Sequence, residues 1–444
     1  QAAHQQVGVG TFGCVVWAMW IQPRAPALFS QLCRRVRGRA CCSAEFRPGP
    51  VEVDFSHHAK HLARLNHGSF GACPAPVLER QDALRRSWLA APDAWFFGGR
   101  LDEELRLAAL SAAPALTRGE VSDEQICLVE NATVATVAVA RRWSQLVQPG
   151  DVLVVLSVAY LACVNILREY VEASGAELVT LKVPFPCRSH AEVLEAAEEQ
   201  LQALQRSGKK VRFAFLDHVS SQPALLLPAK QLVSLCRAYG AADVEVLVDG
   251  AHSVGSCDFD VCDIGADWFL SNLHKWGFAP CTATVLYAAS AELMRETRHP
   301  ITSWGWGRGL AVEARFPGTR DFSAMLATPA AMEYLRRWRS AAGETSQEFC
   351  HRRVLESAHE LAEAWGTAEA LAAEELVATQ AMVKLPPELH VDDVPGQPGR
   401  GVRGRLREEF GVEAAVGSFG KHLGGYVRLS YGVYNTAMDV ERLR

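Results

Sequence analysis

The segments V-E-V-L-V-D-G-A-H (residues 244–252) and A-D-W-F-L-S-N-L-H-K-W (residues 266–276) decide the fold prediction for this chain. Each contains a short apolar run typical of a buried β-strand and then ends in polar residues. The first run delivers Asp249 to its end, and the second is followed by Lys275. Because ligands of open α/β sheets bind outside the carboxyl ends of the strands, we expect this acid and this amine to face one crevice.

An acid and a lysine in one crevice are the pair that pyridoxal 5′-phosphate (PLP) requires. The lysine attaches the cofactor covalently, and the carboxylate keeps the pyridine nitrogen protonated. Either residue alone is more often a strand-end acid or a solvated lysine. The prediction of a cofactor site therefore depends on further residues of the chain.

Strand-like runs alternate with helical patterns such as Ala191–Gln205 and Lys230–Tyr239. This alternation predicts an α/β fold with a mainly parallel sheet covered by helices on both faces. The predicted strands are Val152–Leu156, Leu178–Val183, Val211–Leu216, Val244–Val248, Trp268–Leu270 and Thr282–Tyr287.

The pattern changes beyond Asp321. Long helical stretches are followed by two or three short strands, including Ala381–Leu385 and Tyr426–Ser430. We therefore expect a large domain over residues 51–320, which includes an N-terminal lead-in segment (residues 51–71), and a smaller α+β domain over residues 321–444.

Composition excludes several classes of protein. The 444 residues carry a formal net charge of -5, and 49% are hydrophobic and 21% charged, as in ordinary globular proteins. This charge gives no reason to expect nucleic acid or an acidic membrane as a partner, and no apolar run has the ~18 residues of a membrane span. The thirteen cysteines include no CxxC pair, so neither a metal site nor a disulfide framework is expected. Reduced thiols fit an intracellular compartment.

The first fifty residues differ from the rest, because several arginines but no acidic residue precede Glu45. Such a segment resembles an organelle transit peptide. A disordered extension and a faulty gene-model start are the alternatives, since the chain opens with Gln1. We expect residues 1–50 to be an N-terminal extension and the protein to be cytoplasmic, or organellar (mitochondrion or plastid) if the segment is a transit peptide.

Several polar residues are candidates for holding the cofactor. The residues Asn131–Thr133 lie where a helix is predicted to begin, and free N–H groups there suit a phosphate. Tyr160 follows a predicted strand and could stack on a planar ring. Ser220, Ser221 and His252 are candidates for hydrogen bonds to the phenolic oxygen of the ring. An ordinary helix cap and a core tyrosine remain the alternatives for the first two.

Two further stretches stand out in the second half of the chain. Arg428 lies in the apolar run V-R-L-S, where an unpaired guanidinium would be costly, so its donors suit a carboxylate ligand. The segment G-T-R-D at residues 318–321 is a compact polar turn, which by itself indicates only a surface turn.

The ordered set N-A-T, D-G-A-H, S-N-L-H-K-W, G-T-R-D and V-R-L-S resembles the class V aminotransferase family, whose members have the PLP-dependent transferase fold of type I. The resemblance extends from about residue 60 to the end of the chain. The segments L-N-H-G-S-F-G, L-D-H-V-S-S and I-G-A-D-W-F-L-S-N-L-H-K-W are most similar to the branch of isopenicillin N epimerase-like and plant L-cysteine desulfhydrase-like proteins.

The resemblance implies a role for each candidate residue. Lys275 would attach the cofactor and Asp249 would pair with its ring nitrogen, while Thr319 would reach the phosphate of a neighbouring subunit, which implies a homodimer. One departure is that Ser157 and Val158 stand where relatives often carry a histidine, which leaves ring stacking to Tyr160. The remaining implied contacts are Ala132, Thr133, Asn272 and His274 for the phosphate, Ser220, Ser221 and His252 for the ring, and Arg428, Asn66 and His67 for the substrate.

The expected reaction follows from the cysteines. Desulfurases of this family need a mobile cysteine shortly before the carboxylate-binding arginine, but no cysteine follows Cys350, which itself lies in a helical pattern. We therefore expect β-elimination on L-cysteine or a related sulfur amino acid, releasing sulfide, pyruvate and ammonia. One alternative is an epimerase, with Tyr160 or His67 as the second proton donor. Another is a degenerate fold kept as a scaffold, against which the intact Lys275 and Asp249 argue.

Overall fold

The strands of the structure form one large sheet and two small ones. The structure is a computed structural model that describes residues 48–389, 391, 401–419 and 423–444. In chain order the strands are β1 (Ala63–Arg64), β2 (Ile126–Val129), β3 (Asp151–Leu156), β4 (Glu177–Leu181), β5 (Lys210–Asp217), β6 (Glu245–Asp249), β7 (Trp268–Asn272), β8 (Thr284–Ala288), β9 (Gln380–Lys384), β10 (Val412–Glu413), β11 (Ala415–Ser418) and β12 (Gly425–Ser430).

The large sheet has seven strands in the order β2-β8-β7-β6-β5-β3-β4. Strands β3 to β7 pair in parallel, whereas β8 runs antiparallel to both β7 and β2. Every residue of β3 and of β6 is buried, as expected for central strands covered on both faces. The carboxyl ends of β5, β6 and β7 therefore meet at one edge, where they carry Asp217, Asp249 and Asn272.

The predicted α/β fold with a mainly parallel sheet is confirmed. The six strands predicted for the large domain correspond to β3 to β8, with ends shifted by one or two residues. Strand β2 was not predicted, because its four residues are all buried and apolar. Such a run lacks the alternation that identifies a strand and is equally typical of a buried helical turn.

Helices connect the strands and cover the large sheet. The core between them contains Trp143, Phe213, Leu247 and Trp268. The α-helices are Val51–Asp54, His67–Phe70, Ala75–Ala90, Pro92–Phe96, Arg100–Ser111, Ala132–Leu146, Leu161–Leu167, His190–Arg206, Ala229–Tyr239, Val261–Ile264, Ala291–Glu296, Leu310–Glu313, Ser323–Leu326, Thr328–Arg337, Ser346–Ala364, Val402–Phe410 and Ala437–Leu443.

A second core surrounds the antiparallel sheet β11-β12-β9. The helix Ser346–Ala364 packs against this sheet and begins with a capping box formed by Thr345 and Glu348. Strand β1 pairs in parallel with β10, and Ala63 and Leu65 are buried in the same core. The lead-in segment was predicted to belong to the large domain. Its β1 strand and Leu65 instead pack among the C-terminal elements, and the residues that follow contact the chain after β7 of the large sheet.

Two further expectations concern the N-terminus and membrane spans. The N-terminal extension expected at residues 1–50 lies outside the described residues except for 48–50. Within the described ranges, no helix is both long and apolar enough to cross a membrane.

Candidate functional site

A cavity of about 190 Å³ lies at the carboxyl edge of the large sheet. It brings together nine of the residues that the sequence analysis selects: Ala132, Thr133, Tyr160, Ser221, Asp249, His252, Asn272, His274 and Lys275. These residues come from five separate stretches of the chain, each placed by the end of a strand or the start of a helix.

Asp249 is the buried acid of the cavity. The end of β6 positions it, and its Oδ1 accepts a hydrogen bond of 2.8 Å from the backbone N–H of Ala251. Its Oδ2 lies 3.9 Å from the Sγ atom of Cys163. Burial raises the pKa of Asp249, while the Ala251 N–H and the charge of Lys275 oppose this rise. A protonated ring nitrogen placed beside this carboxylate would supply the positive charge that a buried carboxylate needs in order to stay ionised.

Lys275 is the buried amine. Burial is the largest cause that lowers its pKa, to about 8, and the Arg428 charge lowers it further against the opposing attraction of Asp249. Its Nζ lies 2.9 Å from Nε2 of His252. The pKa of His252 is held well below its usual range by burial and by the Lys275 charge, so its Nε2 accepts from the amine. An amine with this pKa is partly neutral near pH 8, as a nucleophile or base must be.

The lead-in segment holds the backbone of Lys275 through a hydrogen bond and a close backbone approach. Nε2 of His67 donates to the carbonyl of Lys275 at 2.9 Å, which leaves its Nδ1 to accept from the hydroxyl of Tyr434 at 3.1 Å. Gly71 has a φ of 66°, and a Cβ there would lie 1.9 Å from the carbonyl oxygen of His274. Only glycine permits this close approach.

His67 therefore does not line the cavity, although the sequence analysis assigns it to the substrate. It is 2% exposed, and both of its ring nitrogens are occupied by protein groups. Burial lowers its pKa to about 3. This arrangement suits a neutral residue that positions the Lys275 backbone.

The candidate phosphate end of the cavity is the start of the helix Ala132–Leu146. Asn131 caps this helix by accepting from the N–H of Val134 at 3.0 Å. The side chain of Asn272 accepts from the N–H of Ala132 at 3.0 Å and so ties the end of β7 to the helix. Thr133 lines the cavity beside them. A helix N-terminus with a nearby hydroxyl is suited to an anion.

His274 also lines this part of the cavity. Its Nδ1 lies 3.2 Å from the carbonyl oxygen of Ala283, and burial lowers its pKa to about 4. It is therefore a neutral hydrogen-bonding group at neutral pH.

Arg428 lies in β12 of the small sheet, is 2% exposed and contacts Ser69 and Ser221, which line the cavity. Its Nη1 donates to the carbonyl and hydroxyl oxygens of Ser221 at 3.0 and 3.1 Å. Its Nη2 donates to Oδ1 of Asn66 at 2.9 Å and to the hydroxyl of Ser69 at 2.6 Å. These acceptors are all neutral, and its Nε is buried without a partner among the described residues. A buried guanidinium without a carboxylate is suited to bind one from a ligand.

Two other predicted residues lie elsewhere. The hydroxyl of Ser220 is fully buried and donates to the carbonyl of Pro223, so this side chain points into its own loop and not into the cavity. Thr319 is exposed and does not line the cavity of its own chain. Tyr160 does line the cavity and is half-exposed.

Two polar residues that line the cavity, Ser69 and Asp217, were not predicted from the sequence. Ser69 is a small polar residue in a turn, and no pattern marks it as a contact of Arg428. Asp217 could have been found. The predicted strand Val211–Leu216 ends one residue before it, which makes it a strand-end acid of the same kind as Asp249.

The parallel sheet, the lysine and acid at its edge and the arginine from the small sheet together define an α/β enzyme of PLP fold type I. The sequence model of the family described as Aminotransferase class-V matches residues 119–363. The chain belongs to this family.

Several known proteins are similar to this one over most of the chain. The L-cysteine desulfhydrase of Arabidopsis thaliana is 34% identical, and the match covers 89% of this chain and 89% of that protein. Isopenicillin N epimerase of Streptomyces clavuligerus is 28% identical, with 86% of this chain and 93% of that protein covered. The solved structure of a cystine C–S lyase with cysteine persulfide superposes with a TM-score of 0.67 at 17% identity, covering 88% of this chain and 97% of that one.

Class V aminotransferases use PLP, and the residues of the cavity fit this cofactor. The buried Nδ1 of His252 has no partner among the described residues, as expected where a ligand is to be bound. Asp249 would hold the ring nitrogen, the start of the helix Ala132–Leu146 would hold the phosphate, and Lys275 would attach the aldehyde carbon.

The histidine below Lys275 predicts how stability depends on pH. The pKa of His67 is about 3 in the folded protein and about 6.5 when exposed. A depressed histidine stabilises the fold above pH 6.5, and this contribution is lost as the pH falls toward 3, because the unfolded chain takes up the proton first. At pH 5 the loss should be about 2 kcal/mol.

Urea unfolding of the wild type and of His67→Gln at pH 7.5 and pH 5 measures this contribution. We expect the variant to lose about 2 kcal/mol less than the wild type between the two pH values, whereas a control with the exposed His359→Gln should match the wild type. Equal losses in wild type and His67→Gln would show that His67 is not held neutral.

Proposed function

We propose that this protein is a PLP-dependent carbon–sulfur lyase that converts L-cysteine and water to sulfide, pyruvate and ammonia. The observation that carries the proposal is the buried Arg428. Among the described residues its guanidinium meets only neutral acceptors, and two of them, Ser69 and Ser221, line the cavity that holds Lys275 and Asp249. An α-amino acid would supply the missing carboxylate. The relatives that match most of the chain at 34% identity include an L-cysteine desulfhydrase.

The proposed roles follow from the charges of the site. PLP supplies an electron sink for the Cα–H bond of an amino acid attached to it. Lys275, with a pKa of about 8, is suited to take the proton from Cα. Arg428 binds the α-carboxylate, and Asp249 holds the positive charge at the ring nitrogen. Ser221 and Ser69, which contact Arg428 and line the cavity, orient its guanidinium toward the substrate.

The cysteines of the chain support direct elimination over sulfur transfer. Cys163 is buried beside Asp249, and burial raises its pKa. Cys350 is buried within the helix Ser346–Ala364, and no cysteine follows it in the sequence. A desulfurase would need a reactive thiol that can reach the substrate sulfur. Loss of the sulfur as sulfide requires no such thiol.

Epimerisation is the second candidate, because isopenicillin N epimerase also matches most of the chain. This reaction needs a second proton donor on the face opposite Lys275. His67 is unsuited, since both of its ring nitrogens are occupied and its pKa is about 3. Tyr160 is the remaining candidate of the two considered. A non-catalytic scaffold is disfavoured, because it would not need a lysine, an acid and an arginine buried around one cavity.

The lyase proposal predicts the products. Purified enzyme with L-cysteine should release sulfide, pyruvate and ammonia in equal amounts without a thiol reductant. Arg428→Ala should raise KM about tenfold to a hundredfold, because a charge-assisted contact of ~1.5–3 kcal/mol is lost. Arg428→Lys, which keeps the charge but not the fork of donors, should lose less.

Each competing reaction has its own signature in the same assay. Alanine without pyruvate would indicate desulfuration. Exchange of the Cα hydrogen with solvent and racemised substrate would indicate the epimerase. Either outcome would contradict the lyase proposal while leaving the cofactor assignment in place.

We further propose that the site is completed in a homodimer. Thr319 is exposed, but its turn is fixed by ion pairs of the two residues that follow it, between Arg320 and Glu130 and between Asp321 and Arg85. A turn that is held in place yet lies outside its own cavity is suited to serve another copy. Trp304 and Trp306, which precede this turn, are 73% and 67% exposed, as expected for a surface that a partner covers.

Mixing two inactive variants tests this sharing. If Thr319 acts on the partner's site, a heterodimer of Thr319→Ala and Lys275→Ala subunits has both defects in one site and none in the other. An equal mixture that exchanges subunits at random should then regain activity in about a quarter of its sites.

The matched control mixes Lys275→Ala with Asp249→Asn subunits. Both residues lie in the same cavity of one chain, so every site of the heterodimer keeps one defect and no activity should return. Absence of recovery in the Thr319→Ala mixture as well would contradict a shared site.

The domain boundaries and the cellular location of the protein are also proposals. We propose residues 1–50 as an extension, 51–320 as the PLP-binding domain and 321–444 as the small domain, with an intracellular location, cytoplasmic or organellar. The contacts of β1 with β10 support treating residues 51–71 as a bridge between the two larger parts.

A further inference from the structure

The acid of the cavity has a second acid beside it. Asp217 ends β5 and Asp249 ends β6, and the two residues are direct partners in the register of these parallel strands. Neighbouring strands lie about 4.8 Å apart. Asp217 is 3% exposed and Asp249 5% exposed, and both line the cavity. The roles proposed above use only Asp249.

The two carboxyl groups differ in their partners. Oδ1 of Asp249 accepts from the N–H of Ala251, and its Oδ2 faces the thiol of Cys163. The carboxyl of Asp217 makes no hydrogen bond or ion pair within the described part of the chain, and its Oδ2 is fully enclosed. Asp249 thus has more hydrogen-bond partners than Asp217, and a negative charge is more stable on Asp249.

Among the residues that the structure describes, the groups around the pair supply no second counter-charge. Lys275 is the cation that acts on Asp249, and its own pKa is lowered to about 8. The thiol of Cys163, from the helix Leu161–Leu167, is kept neutral by burial. His218, the residue after Asp217, has a pKa lowered to about 4 by burial and faces the hydroxyl of Ser253 at 2.9 Å.

Two adjacent buried carboxyl groups cannot both be ionised cheaply. Burial and then the charge of Asp249 raise the pKa of Asp217 well above its usual range. The pair therefore titrates as a unit, and one proton is kept over the neutral range.

We infer that Asp217 is a positioning residue that holds this proton beside Asp249, so that the pair presents one negative charge and not two to the cofactor ring. The inference rests on the PLP-binding part of the proposed function but not on the substrate. One negative charge balances one protonated ring nitrogen. A second charge in the same enclosed space would be uncompensated and would weaken the match between the acid and the ring.

Infrared difference spectroscopy of the full-length holoenzyme tests this assignment at neutral pH. The carbonyl stretch of a protonated carboxylic acid, which shifts in deuterium oxide, should be present in the wild type and lost in Asp217→Asn. Cys163→Ser is the matched control, because it changes the other side-chain neighbour of Asp249 without changing a charge, and it should keep the band. The dependence of the bound cofactor's absorbance on pH should also differ between the wild type and Asp217→Asn, because the variant lacks one of the two coupled carboxyl groups.

Three outcomes would overturn the inference. They are no protonated carboxyl in the wild type, a band unchanged in Asp217→Asn, or a band lost only in Asp249→Asn. If Asp217→Asn does not fold, the wild type with carbon-13-labelled aspartate serves instead. One buried carboxyl should then still be protonated at pH 7, where an exposed aspartate is ionised. Failure of the proposed function would appear separately, as no cofactor absorbance or no sulfide from cysteine.

Discussion

The burial of the Lys275 amine opposite the Asp249 carboxyl is the constraint on which the rest of the site depends. A lysine that is removed from water loses its proton more readily, and here the pKa falls to about 8. The same burial raises the pKa of Asp249 and so opposes the charge that a ring nitrogen needs. Each group limits the shift of the other, and both remain usable near neutral pH because they share one enclosed space.

Three parts of the molecule position Lys275, Asp249 and the residues around them. The large sheet supplies the ends of β5, β6 and β7 at one edge. The lead-in segment supports Lys275 from below through His67 and approaches closely at Gly71. The small sheet contributes Arg428, which in turn is bound by Asn66 and Ser69 of the lead-in segment. The segment that precedes the large sheet in sequence is therefore the connection between the two halves of the site.

Much of this arrangement could be predicted from the sequence because strand ends are visible as apolar runs that stop at a polar residue. Asp249 and Asn272 are found in that way, as is the helix start at Asn131. The pattern does not reveal which way a loop side chain points, so Ser220 and His67 were assigned to the cavity although their polar atoms bind the protein itself. It also cannot find Ser69, whose role arises only when β12 brings Arg428 against the lead-in segment.

The most direct test of the account is to locate the bound cofactor. Holoenzyme reduced with borohydride and digested should yield a single pyridoxyl-labelled peptide, and the label should lie on Lys275. Lys275→Arg should abolish the labelling, whereas substitution of the exposed Lys230 should not. A label on any other lysine, or the absence of one in protein that is otherwise folded, would contradict the assignment of this cavity as the PLP site.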